Sequence, residues 1–273
     1  MGVTEGKYGV FKYLLYAPDH LDDMKNLPMV VVLHGSGEIG SSLSKLKKRE
    51  PYLSLKNGKF KPDCWVLMPQ LPKKTWGYYA SDLIELCNEL SEERTLYADN
   101  LKHVIPGKVN PTQISLTGHS LGGMGVIEVM LKYPAYFSAG AVLSCCKDYS
   151  KDLPKLSRMP LWFIHGSKES KYGKYARAMY KTMNGLNTTA NYSSIPGYGH
   201  PIQFVWTSER YELFKWLTSW NVGDLRNPTW HWLLRDLNIL DDDGKLNQSL
   251  LDHEIEDPVA RAFALKKSNI WPL

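Results

Sequence analysis

A serine flanked by glycines stands in the segment TGHSLGG, residues 117–123. This segment contains the chain's only G-x-S-x-G pattern, with Ser120 between Gly118 and Gly122. The apolar segment QISLT before it predicts a strand, and LGGMGVIEVMLK after it predicts a helix. A sharp turn between the two would hold the Ser120 hydroxyl clear of the sheet, and the glycines leave room for such a turn. The pattern predicts acyl transfer, in which Ser120 attacks a carbonyl carbon.

A serine hydroxyl needs a base before it becomes a nucleophile. Where a serine stands on such a turn, an acid and then a histidine follow it along the chain. His200 lies in the glycine-rich segment IPGYGHP, just beyond a predicted strand, and we expect it to be the base. His165 ends a predicted buried strand and is expected to pack within its own turn. His231 and His253 fall in the C-terminal segment.

The acid that orients the base should follow the predicted strand LWFIHG. The loop after this strand reads SKESKYGKYAR, and Glu169 is its only carboxylate. Asp148, after the preceding predicted strand, is the alternative. If they are not catalytic, Glu169 is an exposed loop charge and Asp148 caps a turn or a helix. We expect Glu169 to be the acid.

The apolar segment at 30–40, VVVLHGSGEIG, ends in three glycines with the G-x-G-x-x-G spacing of a dinucleotide-phosphate loop. That use requires a helix directly after the second glycine and an acidic residue at the end of the next strand. Here the polar, aperiodic segment EIGSSLSK follows, and the next predicted strand ends in proline and glutamine. We therefore expect the backbone N–H groups of Ser36 and Leu121 to form an oxyanion hole.

Short apolar segments alternate with helical patterns as far as residue 220. MVVVLH, CWVLMP, QISLT, SAGAVLS and PLWFIHG predict strands, and 80–97, 121–132, 171–183 and 208–220 predict helices. This alternation predicts an α/β fold with a mostly parallel central sheet and helices on both faces. Catalytic groups in such folds gather at the carboxyl ends of the strands. We expect residues 1–220 to form the catalytic domain and residues 221–273 a C-terminal helical extension packed on it.

The composition is that of a globular protein, with 43% hydrophobic and 22% charged residues among 273. No apolar segment reaches the ~20 residues that span a bilayer, and no signal peptide is visible at the start, so we expect no membrane association and a cytoplasmic location. The basic segment KLKKRE has no interleaved aromatic residues, which argues against nucleic-acid binding. The four cysteines form neither a C-x-x-C pair nor a zinc pattern, and no metal site is expected.

Five segments in order, LHGSGEIG, VLMPQLP, ISLTGHSLGGMG, LWFIHGSKE and YGHPIQFVW, resemble the α/β-hydrolase superfamily. Within it they are similar to the small esterases, which include feruloyl and acetyl-xylan esterases, dienelactone-hydrolase-like proteins and phospholipase/carboxylesterases. The resemblance covers residues 8–220. It implies a serine esterase without a cofactor, with Ser120 as nucleophile, His200 as base and an acid in the loop after FIHG. The family usually has aspartate where Glu169 stands.

The resemblance also bears on the substrate. Residues 144–161 leave no room for a large cap domain, which favours short-acyl or aromatic esters, including carbohydrate-linked ones. Trp76, in the segment TWGYY, lies near the site in the family layout, and we expect it to stack on the substrate, with surface packing as the alternative. Two other functions stay open: a peptidase or thioesterase with the same triad, and a catalytically silent binding module. The sequence does not predict an oligomeric state.

Overall fold

The computed structural model describes residues 2–19, 27–91, 94–98, 101–105, 109–134, 136–157, 159–186 and 190–222. The strands are β1 (Val3–Tyr8), β2 (Phe11–Tyr16), β3 (Leu27–Leu33), β4 (Trp65–Gln70), β5 (Arg94–Ala98), β6 (Leu101–Ile105), β7 (Val109–His119), β8 (Gly140–Leu143), β9 (Leu161–Gly166) and β10 (Asn191–Ile195). The α-helices are α1 (Tyr52–Lys56), α2 (Ala80–Ser91), α3 (Leu121–Lys132), α4 (Ser170–Gly185) and α5 (Leu213–Thr218).

Eight strands form one sheet in the order β1-β2-β4-β3-β7-β8-β9-β10. All neighbours from β4 to β10 are parallel, while β1 and β2 add an antiparallel edge. β3 is apolar along its whole length, and β4 is apolar up to its last residue, Gln70, as expected of strands covered on both faces. The structure confirms the predicted α/β fold with a mostly parallel central sheet.

Helices cover both faces of the sheet. The buried apolar side chains of α2, α3 and α4 pack on one face, and those of α1 and α5 pack on the other. Between β8 and β9 the described residues contain one short 3₁₀ helix, Leu153–Leu156, so no large cap stands there. No helix in the described ranges has both the length and the apolar character needed to cross a bilayer.

Two predicted helices are shorter in the structure, and the one predicted over 208–220 is limited to α5, Leu213–Thr218. The helix predicted over 80–97 stops at Ser91, and a two-stranded antiparallel hairpin of β5 and β6 follows. Thr95 and Tyr97 in this segment favour a strand, and cross-strand pairing supplies the hydrogen bonds that a longer helix would have made. The predicted helical extension lies outside the described residues beyond Val222. The N–H of Val222 donates to the carbonyl of Thr112 (2.7 Å), in the central strand β7.

Candidate active site

Ser120 occupies a strained turn between β7 and α3. Its φ of 60° and ψ of −115° are rare for a residue with a side chain. A Cβ on Gly118 would overlap the carbonyl of Gly122, and a Cβ on Gly122 would overlap that of Leu33. The N–H of Ser120 donates to the carbonyl of Leu143 (2.9 Å), which fixes the turn against β8. The two glycines of the motif are therefore required by close backbone contacts, and the serine side chain stands at the carboxyl end of the sheet.

Ser120, His200 and Glu169 lie in one hydrogen-bonded chain. Oγ of Ser120 is 2.9 Å from Nε2 of His200, and Nδ1 of His200 is 2.6 Å from Oε1 of Glu169. His200 lies in the loop after β10, and Glu169 lies in the turn between β9 and α4. The N–H of Lys168 donates to the carbonyl of Tyr198 (2.8 Å), so the backbones of this turn and this loop are joined. The parallel sheet thus brings three distant chain segments together at one edge.

The second oxygen of Glu169 is held by two donors. Ser144 Oγ donates to Oε2 (2.7 Å), and the N–H of Gly166 donates to the same atom (2.9 Å). Burial raises the pKa of the Glu169 carboxyl, but hydrogen bonds from His200, Ser144 and Gly166 outweigh it, so the pKa lies below its usual value. The carboxylate is therefore charged and fixed in orientation.

The carboxylate of Asp148 forms hydrogen bonds within its own turn. It is exposed, and its Oδ1 accepts hydrogen bonds from the N–H (2.9 Å) and the hydroxyl (2.5 Å) of Ser150. This is the turn-capping arrangement given above as its alternative role. The structure brings Glu169, and not Asp148, to His200.

Ser36 and Leu121 each begin a helix beside the serine. Ser36 opens the 3₁₀ helix Ser36–Glu38 after β3, and Leu121 is the first residue of α3. A Cβ on the preceding Gly35 would lie 3.6 Å from the Cβ of Ser120, so this turn passes close to the nucleophile. Within the described ranges, no acceptor takes a hydrogen bond from either N–H. Both donors are free to bind an oxyanion.

Two buried histidines position these loops, and the sequence analysis gave neither of them a role. His34 donates from Nδ1 to the carbonyl of Gly35 (2.6 Å) and accepts at Nε2 from the N–H of Leu71 (2.8 Å). Both bonds together require the neutral ring. His119, the residue between the first glycine and the serine of the motif, donates from Nε2 to the carbonyl of His200 (2.7 Å). It therefore ties the serine turn to the histidine loop.

Burial lowers the pKa of both His34 and His119 to about 4. Because the folded pKa lies below the ordinary 6.5, each ring stabilises the fold fully above pH 6.5, and this stability is lost as the pH falls towards about 4. We expect the free energy of unfolding to fall by about 3 kcal/mol per ring over this range. Urea unfolding at several pH values measures this change in the free energy of unfolding. His34→Gln, which cannot titrate, should show a shallower pH dependence than the wild type, and an identical slope would contradict the assignment.

The structure corrects the expectation for Trp76. This residue is fully buried (0% exposed), its Nε1 donates to the carbonyl of His34 (3.1 Å), and its ring packs against Phe11 and Gly125. No face of the ring is open to a substrate. Trp76 instead supports the turn that carries Ser36.

Cys146, to which the sequence analysis gave no role, lies in the site. Its Sγ is 3.4 Å from Oγ of Ser120, and its S–H donates to the carbonyl of Ser144 (3.6 Å). Hydrogen bonding to Cys146 and to Glu169 raises the pKa of His200 to about 9. No cluster of three metal-ligating side chains occurs in the part of the chain that the structure describes.

No family model matches the sequence, and no curated protein does. Solved structures match in fold. A thermostable esterase aligns over 80% of this chain and 62% of its own, with a TM-score of 0.60 and 20% identity. The S-formylglutathione hydrolase from Agrobacterium tumefaciens aligns over 80% and 94% (TM-score 0.55, 13% identity). The feruloyl esterase module from Clostridium thermocellum, complexed with sinapinate, aligns over 77% and 87% (TM-score 0.56, 15% identity). The chain thus has the α/β-hydrolase fold that the sequence resemblance implied.

Proposed function

We propose that the protein is a serine hydrolase that cleaves carboxylic esters through an acyl-enzyme on Ser120. The observation that carries this proposal is the unbroken hydrogen-bonded chain from Ser120 through His200 to the buried carboxylate of Glu169. An exposed loop charge would not be buried, held by two further donors and in contact with the imidazole. The strained serine turn supports the same conclusion, because such strain is retained where a nucleophile must be presented.

The proposed reaction follows from the positions of these groups. Neutral His200 accepts the proton of Ser120 at Nε2 while the serine oxygen attacks the ester carbonyl. The N–H groups of Ser36 and Leu121 bind the oxyanion that forms, and Glu169 stabilises the imidazolium through Nδ1. His200 then returns the proton to the leaving alcohol. A water molecule, deprotonated by the same imidazole, releases the acid and frees Ser120.

The open surroundings of Ser120 support small or aromatic acyl groups, including those linked to carbohydrates. Since the described residues between β8 and β9 form no large cap, a bulky alcohol can extend away from the protein. The fold neighbours carry names that fit this class, namely feruloyl esterase and S-formylglutathione hydrolase. The second name keeps a thioester substrate as the competing candidate. The binding-module alternative required Glu169 to be out of reach of His200, and the 2.6 Å contact argues against it.

Covalent labelling tests the proposal directly. A fluorophosphonate probe should label the wild-type protein on Ser120, and Ser120→Ala should stay unlabelled. Hydrolysis of p-nitrophenyl acyl esters, methyl ferulate and acetylated xylan, next to matched thioesters and peptides, then assigns the substrate class. Labelling that persists in Ser120→Ala, or no labelling of the wild type, would refute the nucleophile.

We expect ester hydrolysis to rise with pH through about 9. His200 must be neutral to accept the serine proton, and its pKa is raised to about 9 by Cys146 and Glu169, so the inactive cation predominates at lower pH. Below the midpoint kcat/KM should rise about tenfold per pH unit, and above it the rate should level off. The pH profile of kcat/KM with p-nitrophenyl acetate measures the midpoint. Cys146→Ala should shift the midpoint towards 6.5, and a wild-type midpoint below about 7 would contradict the assignment.

A further inference from the structure

The thiol of Cys146 lies beside the two groups proposed to transfer the proton. Cys146 follows β8 by three residues, is half-buried, and places Sγ 3.4 Å from Ser120 Oγ. The thiol donates to the carbonyl of Ser144 (3.6 Å), and the same Ser120 Oγ is 2.9 Å from Nε2 of His200. A second nucleophilic atom therefore lies beside the serine oxygen. The proposed ester hydrolysis makes no use of it.

The surroundings of Cys146 differ from those of the other three cysteines. Cys64, Cys87 and Cys145 are buried, and burial raises the pKa of the Cys145 thiol to about 12. Burial also raises the pKa of Cys146, but hydrogen bonding to His200 and Ser120 outweighs it and leaves the pKa below its usual value. Thiolate character and access decide which cysteine reacts. Both favour Cys146.

We propose that Cys146 is a thiol-modification site that takes small-molecule disulfides, and that its modification stops hydrolysis at Ser120. The claim that modification stops hydrolysis rests on the proposed function, whereas the claim that Cys146 is modified does not. The Cys146 thiol loses its proton to solvent, or to His200 where that ring is neutral, and the Cys146 thiolate attacks one sulfur of the disulfide. A new S–S bond joins Cys146 to one half, the original S–S bond breaks, and the other half leaves as a thiolate that takes up a proton. A reducing dithiol reverses the exchange by the same steps.

Geometry explains why the adduct stops the reaction. An S–S bond is about 2.05 Å long, so the added sulfur stays within about 5.5 Å of Ser120 Oγ. An ester carbonyl must approach that oxygen to about 3–3.5 Å before attack. We expect the substituent on the added sulfur to occupy this space.

Dithiodipyridine is the probe for the experiment, because each exchange releases a coloured thiopyridone. Mass spectrometry locates the adduct, and hydrolysis of p-nitrophenyl acetate is followed on the same samples. We expect Cys146 to react at least about tenfold faster than the other cysteines, hydrolysis to fall in parallel with its occupancy, and dithiothreitol to restore it. Cys145→Ser is the matched control at the neighbouring buried position and should remain sensitive. Cys146→Ala, whatever its starting rate, should keep that rate during treatment.

The outcomes separate this inference from the proposed function. A protein that hydrolyses esters but does not react at Cys146, or that hydrolyses them unchanged when Cys146 is fully modified, overturns the inference. Slow modification of all four cysteines at similar rates overturns it as well. Selective modification of Cys146 in a protein that hydrolyses no ester supports the modification site and refutes the proposed function.

Discussion

Replacing Ser120 with alanine is expected to lower kcat for ester hydrolysis by about 10⁶-fold. The change removes one oxygen and leaves the imidazole, the carboxylate and both oxyanion donors in place. Alanine meets the same positive φ as serine, so the turn keeps its strain and its shape. The remaining rate then reports what the oxyanion hole and binding contribute without a nucleophile. Initial rates with p-nitrophenyl acetate, measured above the pH midpoint, check this expectation.

Ser36→Ala is the matched serine control for this variant. The proposed contribution of Ser36 is its backbone N–H, which alanine retains, so kcat should fall by less than about tenfold. Thermal unfolding of both variants shows whether the fold is kept. If folded Ser120→Ala retains more than about 1% of the wild-type rate, or if Ser36→Ala loses as much as Ser120→Ala, the nucleophile is misassigned.

The sequence could predict the serine turn because its constraints are local. Gly118 and Gly122 are needed where backbone atoms almost touch, and the strand before and the helix after them have clear apolar patterns. The parallel sheet follows from the alternation of such elements. Once the sheet is parallel, residues after its strands must share one edge. This is why His200 and Glu169, distant in the chain, could be sought in the loops after two strands.

The supporting residues could not be found in the same way, because their roles depend on packing between distant segments. Ser144 directly follows the short buried strand β8, and only the fold brings its hydroxyl to the carboxylate of Glu169. The sequence signal that could have identified Ser144 is a polar residue at the carboxyl end of a buried strand. The expectation for Trp76 was wrong for the opposite reason. Its local sequence is that of a surface turn, yet the fold buries its ring completely. Cys146 follows an apolar segment, so the sequence alone did not predict its contact with Ser120.

Glu169→Gln is expected to lower kcat by at least about 100-fold while leaving the fold intact. The amide can keep its oxygen towards Ser144 and the N–H of Gly166, which places its NH₂ group opposite Nδ1 of His200. Nδ1 must then accept a hydrogen bond, so the ring proton moves to Nε2. That nitrogen can no longer take the proton of Ser120. The loss therefore comes from the wrong tautomer, and it appears in kcat more than in KM.

Asp148→Asn is the matched carboxyl-to-amide control for Glu169→Gln. Its Oδ1 accepts from Ser150 within the same turn, and an asparagine oxygen can accept the same bonds, so hydrolysis should stay near the wild-type rate. The pH profile of kcat/KM is a second readout, because a loss of stability alone would not shift its midpoint. Without the negative charge beside Nδ1, the midpoint for His200 should fall below about 9 in Glu169→Gln and stay in place in Asp148→Asn. If Asp148→Asn were the more damaging change, the orienting acid would have to be sought after β8 rather than after β9.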